Sequence, residues 1–552
     1  MNQIKEKKSN FILQAGILAA AGIIVRIIGI LYRSPLVMII GDEGNGYYNK
    51  AYTIYTIILL VSSYSIPSAL SKVMAAKIGL GEYKNAHRLF KGAIIYVIIV
   101  GGLGSLFCFL FADSIVGHNS ATVLKIFSPT IFLSGLLGCL RGYFQAHKSM
   151  LETSVSQILE QILNAIVSIT GAYFLTAMVA GSSDTTRAVY GAIGSAIGTG
   201  SGVLIALLIM FAIYLKRRSS ILSEIAHDDH TDVLAGKDVA KILLSMVTPI
   251  ILSTCIYNLS TVSNLKIYES ITQKIYQMDE ATSSTLYGLF AGKSMQIINI
   301  PIAIATAMSA AIIPVISSSY ERKEYDETLT KIASAIKVTM LIAIPACVGL
   351  FVLSHPVTML LYNQPESRDT VSILIKVLAI SVVLYCLSTL SNGILQGTGY
   401  VNRPVVNAAV ALVVQAVALT VMLLFTNLNL YALCFANIIY SLLMCILNSL
   451  SMRKVLGYKQ EIKRTFILPA VAAIVMGIVA WLINIGGRAL LPVMGLNLNW
   501  YTNIPILIID LIISIIVYGL VLIKVGGINE QEMRSLPKGR MLVNICKKCH
   551  LL

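Results

Sequence analysis

The sequence predicts an all-α membrane protein of about fourteen transmembrane helices: two related six-helix lobes followed by two more helices. Three observations carry that reading. Of 552 residues, 56% are hydrophobic and only 12% charged, whereas soluble domains are about 25% charged. So little polar surface cannot cover a globule of this size, and lipid must make up the missing contact. Apolar runs of about 20 residues, enough to cross the ~30 Å hydrocarbon layer, recur along nearly the whole chain. The chain also repeats itself.

The apolar runs place spans at 11–32, 51–71, 91–112, 122–140, 154–180, 189–215, 242–266, 286–316, 332–354, 370–394, 404–426, 430–451, 465–485 and 503–523. The first, Phe11 to Leu31, is long enough to span and is not a cleavable signal. An even count puts both termini on one side. With the N-terminus inside, and charges near span ends counted with the flank beside them, the inner side holds 31 of the 42 Lys and Arg and the outer side 9, leaving Arg26 and Lys376 as counted to neither. That bias places both termini in the cytoplasm. It also explains the net charge of +16, which points to anionic membrane lipids and not to nucleic acid.

Seven cysteines (Cys108, Cys139, Cys255, Cys347, Cys386, Cys434, Cys445) sit singly in apolar segments, where a thiol behaves as a small hydrophobe. The other two form Cys546-Lys-Lys-Cys549-His550, half of a zinc knuckle with no second ligand pair. The ending Cys549-His-Leu-Leu has His where a prenylation motif needs an aliphatic residue. Neither a metal nor a cofactor is expected.

The repeat pairs Lys125–Gln145 with Lys376–Gln396, and Ile66-Pro67-Ser-Ala69 with Ile300-Pro301-Ile-Ala303, at offsets of 251 and 234 residues. The same order in both halves gives an N-terminal lobe at 1–225 and a C-terminal lobe at 226–451. Two further helices follow at 452–523 and a cytoplasmic tail at 524–552. Parallel repeats of this kind relate lobes about an axis along the membrane normal, with substrate held between them near the midplane. Segment 216–241, with His227-Asp-Asp-His230, is expected to be a solvated interlobe linker, not a metal site.

Charges inside the spans mark the candidate site. Arg26 lies about 22 Å into the first span at 1.5 Å per residue, where an arginine costs about 2.5–3.5 kcal/mol. Either it faces a wet cavity or binds an anion, or it snorkels outward with Arg33 marking the outer end. The cavity reading is adopted, because Gly22 and Gly29 thin the same helix. Lys293 stands in a stretch polar on successive turns. Lys125 and Lys376 read as matched interface lysines, and Lys72 as either snorkelling or cavity-lining. Acids are scarce: Glu160, beside Gln161, either carries a coupling proton or forms a structural pair, and Asp510 is the other intramembrane carboxylate. A cavity richer in cations suits an anionic substrate. Pro67, Pro129, Pro249, Pro301, Pro314 and Pro345 fall within spans, where they break intrahelical bonds; Pro67 and Pro301 are the expected gating hinges.

RIIGILYRSPLVMIIGDEGNGYYNKAYTIY (from Arg26), SIPSALSKVMA (from Ser65), LRGYFQAHKSMLETSVSQILEQ (from Leu140), YGLFAGKSMQIINIPIAIATAMSAAIIPVIS (from Tyr287) and LQGTGYVNRP (from Leu395) carry a family likeness. In order along nearly the whole chain, they resemble the polysaccharide-exporter branch of the MOP flippase superfamily. Within it they resemble the stage V sporulation protein B-like exporters, relatives of the MurJ lipid II flippase. The resemblance implies a V-shaped pair of lobes, with helices 13 and 14 forming a groove for a lipid tail. It implies flipping of an undecaprenyl-pyrophosphate-linked sugar to the outer leaflet, with cations of helices 1 and 8 binding the pyrophosphate. Those cations land here on Arg26, Arg33 and Lys293. MurJ members also carry an arginine inside helix 2, where this chain has Lys50 and Lys72 at the ends. Some bind sodium through acids of helices 7 and 11, where this chain has Asn258, Asn264 and Asn407.

The expected substrate-binding residues are therefore Arg26, Arg33, Lys293, Lys72 and Lys50. The protein is expected to work as a monomer in a bacterial cytoplasmic membrane on a lipid-linked sugar, lipid II or a related cell-wall or polysaccharide precursor. The alternatives are a cation-coupled multidrug exporter of the same superfamily and a non-transporting scaffold for cell-wall or spore-coat assembly. No nucleophile–base pair or phosphate loop stands out, so an enzyme is not expected.

Overall fold

The structure is a computed structural model that describes residues 2–64, 66–228, 230, 233–528 and 530. The Cys546–His550 motif, the expected tail past 530 and Asp229 of the linker lie outside the described residues. Every regular element among the described residues is helical, as the near-continuous apolar runs require, since a helix satisfies its own backbone groups in lipid.

The chain runs through α1 (Asn2–Leu59), α2 (Ile66–Gly79), α3 (Tyr83–Tyr96), α4 (Gly102–Val116), α5 (His118–Ala146), α6 (Met150–Met178), α7 (Asp184–Lys216) and α8 (Arg218–Ala226). It continues through α9 (Gly236–Lys274), α10 (Glu280–Tyr287), α11 (Met295–Glu321), α12 (Tyr325–Val352) and α13 (Ser354–Leu361). Last come α14 (Pro365–Gly397), α15 (Asn402–Phe425), α16 (Leu430–Leu456), α17 (Leu468–Val493) and α18 (Trp500–Lys524). Four π-helical stretches, Leu60–Tyr64, Val97–Gly101, Gly288–Ser294 and Lys463–Ile467, link α1 to α2, α3 to α4, α10 to α11 and lead into α17.

Among the described residues, twelve helical stretches are long and apolar enough to cross a membrane. One of them, Ile24–Gly79, holds the second predicted span and the end of the first. They join at Gly41, whose φ of 69° and ψ of −179° interrupt α1 and need a residue without Cβ. α9, of 39 residues, covers the seventh predicted span.

The chain divides into two compact units, 1–288 and 289–552. The repeat places the lobe boundary at 225/226, whereas residues 236–288 pack with the first unit. Val239 and Leu243 of α9 join the core of Leu70, Met74, Phe90 and Tyr143 from α2, α3 and α5. Nor is the linker free of the fold. Asp228 accepts the Lys84 backbone N–H at 2.7 Å, and Leu234 donates to Asn85 Oδ1 at 2.8 Å. The Lys84 backbone N–H and then His230 hold the Asp228 carboxyl at about 2, below its ordinary 3.8.

The two copies of the longer repeat lie in α5 and α14, whose apolar windows are 61% and 50% buried. In the second unit, α14 is tied to α15 and α16 by amides: Asn448 Nδ2 donates to Asn392 Oδ1 and Asn407 Nδ2 to Asn448 Oδ1, each at 2.8 Å. Interhelical polar contacts of this kind substitute for the hydrophobic drive that lipid removes.

Candidate functional site

α1 is positioned by close packing on α6. A Cβ at Gly29 would sit 3.3 Å from Gln161 Nε2, so the missing side chain leaves room for the Gln161 amide there. α6 in turn lies on α7 along a stripe of small residues. A Cβ at Gly198 would meet Ser168 Oγ at 2.1 Å, and one at Gly202 would meet the Glu160 carbonyl at 2.5 Å. This packing fixes Glu160 and Gln161 beside the first arm of α1.

Arg26 and Arg33 stand seven residues apart on that arm, so they share a face of the helix about 10.5 Å apart. Arg26 is exposed and Arg33 half-buried. The Arg33 guanidinium lies 6.0 Å from the centroid of Tyr52, which stacks on Tyr48 at 5.6 Å. An aromatic face attracts a cation without neutralising it. Glu160, which acts electrostatically on Tyr52, is bound by Arg141: Nη2 to Oε2 is 2.7 Å, and Arg141 Nε also donates to Ser156 at 2.9 Å. The structure thus gives Glu160 an ion-pair partner. Arg141 stood in the sequence only as part of the repeat; its place one residue past the predicted span end was its one signal.

Lys50, on the second arm of α1, meets the opposite environment. Its side chain is 1% exposed and its ammonium lies 2.5 Å from Glu269 Oε1 of α9 and 4.0 Å from Glu280 Oε1 of α10. It also donates to Ser284 Oγ at 3.0 Å. The chain comes this close because Gly46 has no side chain: a Cβ there would sit 2.1 Å from the Ser284 carbonyl oxygen. Around the pair, Asn45 donates to the Gly288 carbonyl at 3.2 Å, Lys266 to the Ile115 carbonyl, and Asn119 Nδ2 to the Tyr47 hydroxyl at 3.0 Å. In this state Lys50 is committed to carboxylates and is withdrawn from any anionic ligand. Glu269 went unread because the apolar pattern of span seven stops at 266, whereas α9 continues to Lys274.

The remaining expected residues fall elsewhere. Lys72 is exposed on α2, with its ammonium at the end of a long stem. Lys293 belongs to the second unit, in the π-helical Gly288–Ser294. It is wholly buried; it donates to Ser367 Oγ at 2.8 Å and to Gln364 Oε1, and it lies 5.5 Å from the Tyr362 centroid. Pro67 opens α2 just after the π-helical Leu60–Tyr64, where the missing proline N–H disrupts the helical ladder. α2 is held there by Gly142, whose Cβ would lie 3.1 Å from the Pro67 carbonyl. Pro301 is buried in α11. The side chains of Pro249 and Pro314 lie outside the described residues. Among the described residues, no three His, Cys, Asp or Glu side chains gather as a metal site.

The family model for the lipid II flippase MurJ matches residues 84–494. Among curated proteins, the lipid II flippase MurJ of Bacillus subtilis (strain 168) is 26% identical over 416 residues, covering 71% of this chain and 74% of that protein. Stage V sporulation protein B of the same organism is 23% identical over 555 residues, covering 97% and 99%. Among solved structures, a lipid II flippase MurJ in an inward closed conformation superposes with a TM-score of 0.65 at 16% identity, covering 91% of this chain and 97% of that one. An inward-facing multidrug transporter of the MATE family reaches 0.65 at 14% identity, covering 80% and 98%. At these identities the structural likeness is one of fold. The family match takes in well over half of the sequence, and the chain belongs to the lipid II flippase MurJ family.

Proposed function

We propose that this chain flips a lipid-linked sugar precursor, lipid II or a related undecaprenyl-pyrophosphate sugar, from the inner to the outer leaflet of a bacterial cytoplasmic membrane. The observation that carries the reading beyond family membership is the pair Arg26 and Arg33 on one face of α1. Arg33 rests on an aromatic ring, and the neighbouring Glu160 is already engaged by Arg141. Two guanidinium groups about 10.5 Å apart suit a pyrophosphate that moves along the helix, since guanidinium matches phosphate oxygens in geometry and charge.

In this reading both termini are cytoplasmic and the protein acts as a monomer built from duplicated lobes at 1–225 and 226–451. Lys50, Glu269 and Glu280 then close the outer end of the first unit. Opening that end requires the buried ion pair to part, and an arriving pyrophosphate offers Lys50 a replacement anion. Lys293 is a further cation for the substrate once it is released from Gln364 and Ser367. Pro67 and Pro301 mark where the helices bend. The Arg141–Glu160 pair holds α5 to α6 beside the first arm of α1. Helices α17 and α18 accompany the lipid tail.

Arg26→Glu tests the assignment in cells depleted of their own lipid II flippase. Expressed at the normal level, it is expected to fail to support growth while the unsubstituted chain succeeds. Full rescue by the variant removes Arg26 from the substrate path.

A further inference from the structure

The second unit carries a cleft walled by α12, α14 and α17, with no residue of α18 in its lining, so it is not the α17–α18 face to which the flippase reading assigns the lipid tail. Its volume is about 620 Å³, and Val348 and Phe351 of α12, Ile380 of α14, and Ile474 and Trp481 of α17 line it. Its floor is set by Gly477, whose Cβ would come within 2.6 Å of Val348 Cγ1. Phe351, Ile380, Ile474 and Trp481 are each about half exposed, so the cleft opens on the apolar surface of these helices, the kind of surface that lipid covers in a membrane-spanning helix. One polar side chain, Lys376 of α14, stands in this apolar wall.

Two turns beyond Trp481 along α17 comes Arg488. One of its terminal nitrogens lies 3.2 Å from His355 Nδ1, and His355 Nε2 lies 3.6 Å from Asp369. Burial, and then the Arg488 guanidinium, hold His355 below its ordinary value, so the ring is neutral and its Nδ1 accepts from Arg488. The charges acting on that ring are Arg488, Asp369, Arg368 and Lys376: three cations against one anion. The Nε groups of Arg368 and Arg488 are both buried without a hydrogen-bond acceptor. A buried guanidinium N–H calls for an acceptor. The excess is notable where it stands, because the outer flanks carry only 9 of 42 basic residues, and by that bias this end of α17 is outer.

The dimensions define the occupant. Ile474 to Arg488 is fourteen residues, about 21 Å along the helix axis. Half of a bilayer with its headgroups is about 20–22 Å. Hydrocarbon wall below and cations above are therefore spaced as one leaflet spaces an acyl chain and its phosphate. We infer that this cleft is a binding site for an anionic phospholipid of the outer leaflet, its acyl chain along Ile474 and Trp481 and its headgroup phosphate on Arg488, Arg368 and Lys376. The lipid is a resident ligand, distinct from the flipped substrate.

Trp481 provides the readout. The full-length protein and its Trp481→Phe variant are reconstituted in phosphatidylcholine vesicles, and their difference in fluorescence isolates Trp481. Phosphatidylglycerol brominated on its acyl chains is then titrated against brominated phosphatidylcholine. Stronger quenching by the brominated phosphatidylglycerol at equal mole fraction is expected, with the preference falling roughly five-fold for each cation removed in R368Q, R488Q and K376Q, since each contributes about 1 kcal/mol at a membrane surface. Equal quenching by the two lipids, or an unchanged preference in R368Q/R488Q, overturns the proposal. So does displacement of the brominated lipid by undecaprenyl phosphate at a mole fraction where unbrominated phosphatidylglycerol has no effect, which assigns the cleft to the lipid carrier. Circular dichroism of each variant shows that the helices remain, and loss of flipping by R26E leaves this measurement unaffected.

Discussion

The two arms of α1 carry cations that the chain treats in opposite ways. Lys50, beyond the turn at Gly41, is buried against Glu269 and Glu280. Arg33, before it, lies over the Tyr52 ring, with the carboxylate of Glu160 taken up by Arg141. The difference teaches that a basic residue in a membrane helix is defined by what its neighbours have left over. A cation met by two carboxylates is a fastener. In the proposed cycle, a cation set on an aromatic face, beside a carboxylate that Arg141 pairs, is the one that an incoming phosphate engages.

The largest effect is expected at the fastener. Removing one partner of a buried ion pair costs about 3–5 kcal/mol, because the other charge is stranded. K50M should therefore lower the thermal unfolding midpoint sharply in detergent, and K50M/E269M should recover most of the loss. A K50M protein as stable as its parent breaks the comparison on this side. Next comes Arg33. R33Q should weaken binding of lipid II about 10- to 100-fold, the range for a charged hydrogen bond of 1.5–3 kcal/mol, with the unfolding midpoint unmoved. An R33Q that binds normally but unfolds early makes Arg33 a packing residue.

The Arg141–Glu160 pair, with side chains 14% and 28% exposed, sharpens the comparison further. R141Q and E160Q should each cost about 1–2 kcal/mol, between exposed and buried pairs, and transport should fall in parallel. If E160Q alone stops transport at unchanged stability, Glu160 carries a proton and is no mere partner. The smallest effect is expected at the linker. Asp228 is held at about 2, below its ordinary 3.8, so its contribution is fully present above about pH 4 and is lost as pH falls through 2. D228N should raise the rate of proteolysis between 226 and 236 at neutral pH and make it indifferent to acid. A parent protein whose linker is cut equally fast at pH 7 and pH 3 contradicts that docking.

What was legible in the sequence follows from what hydropathy measures. Long apolar runs report contact with lipid, and α5, α14, α17 and α18 stand where such runs are read. They report nothing about helix beyond the lipid, so α9 ended too early and Glu269 was missed. The turn at Gly41 was hidden for a related reason: a single left-handed residue leaves the composition around it unchanged. Lys50 and Arg33 looked alike because their neighbours are distant in sequence; Ser284, which caps Lys50, is 234 residues further along. Lys293 was recognised as unusual from the polar turns around it, whereas its partners Gln364 and Ser367 lie more than 70 residues away.

The central claim is that the arginine face of α1 reads pyrophosphate. Purified chain and its R26Q/R33Q variant, titrated with lipid II and followed by native mass spectrometry, test it directly. Binding that the double variant loses by about 100-fold or more, with the protein still folded, is the predicted result; equal binding by both proteins contradicts it.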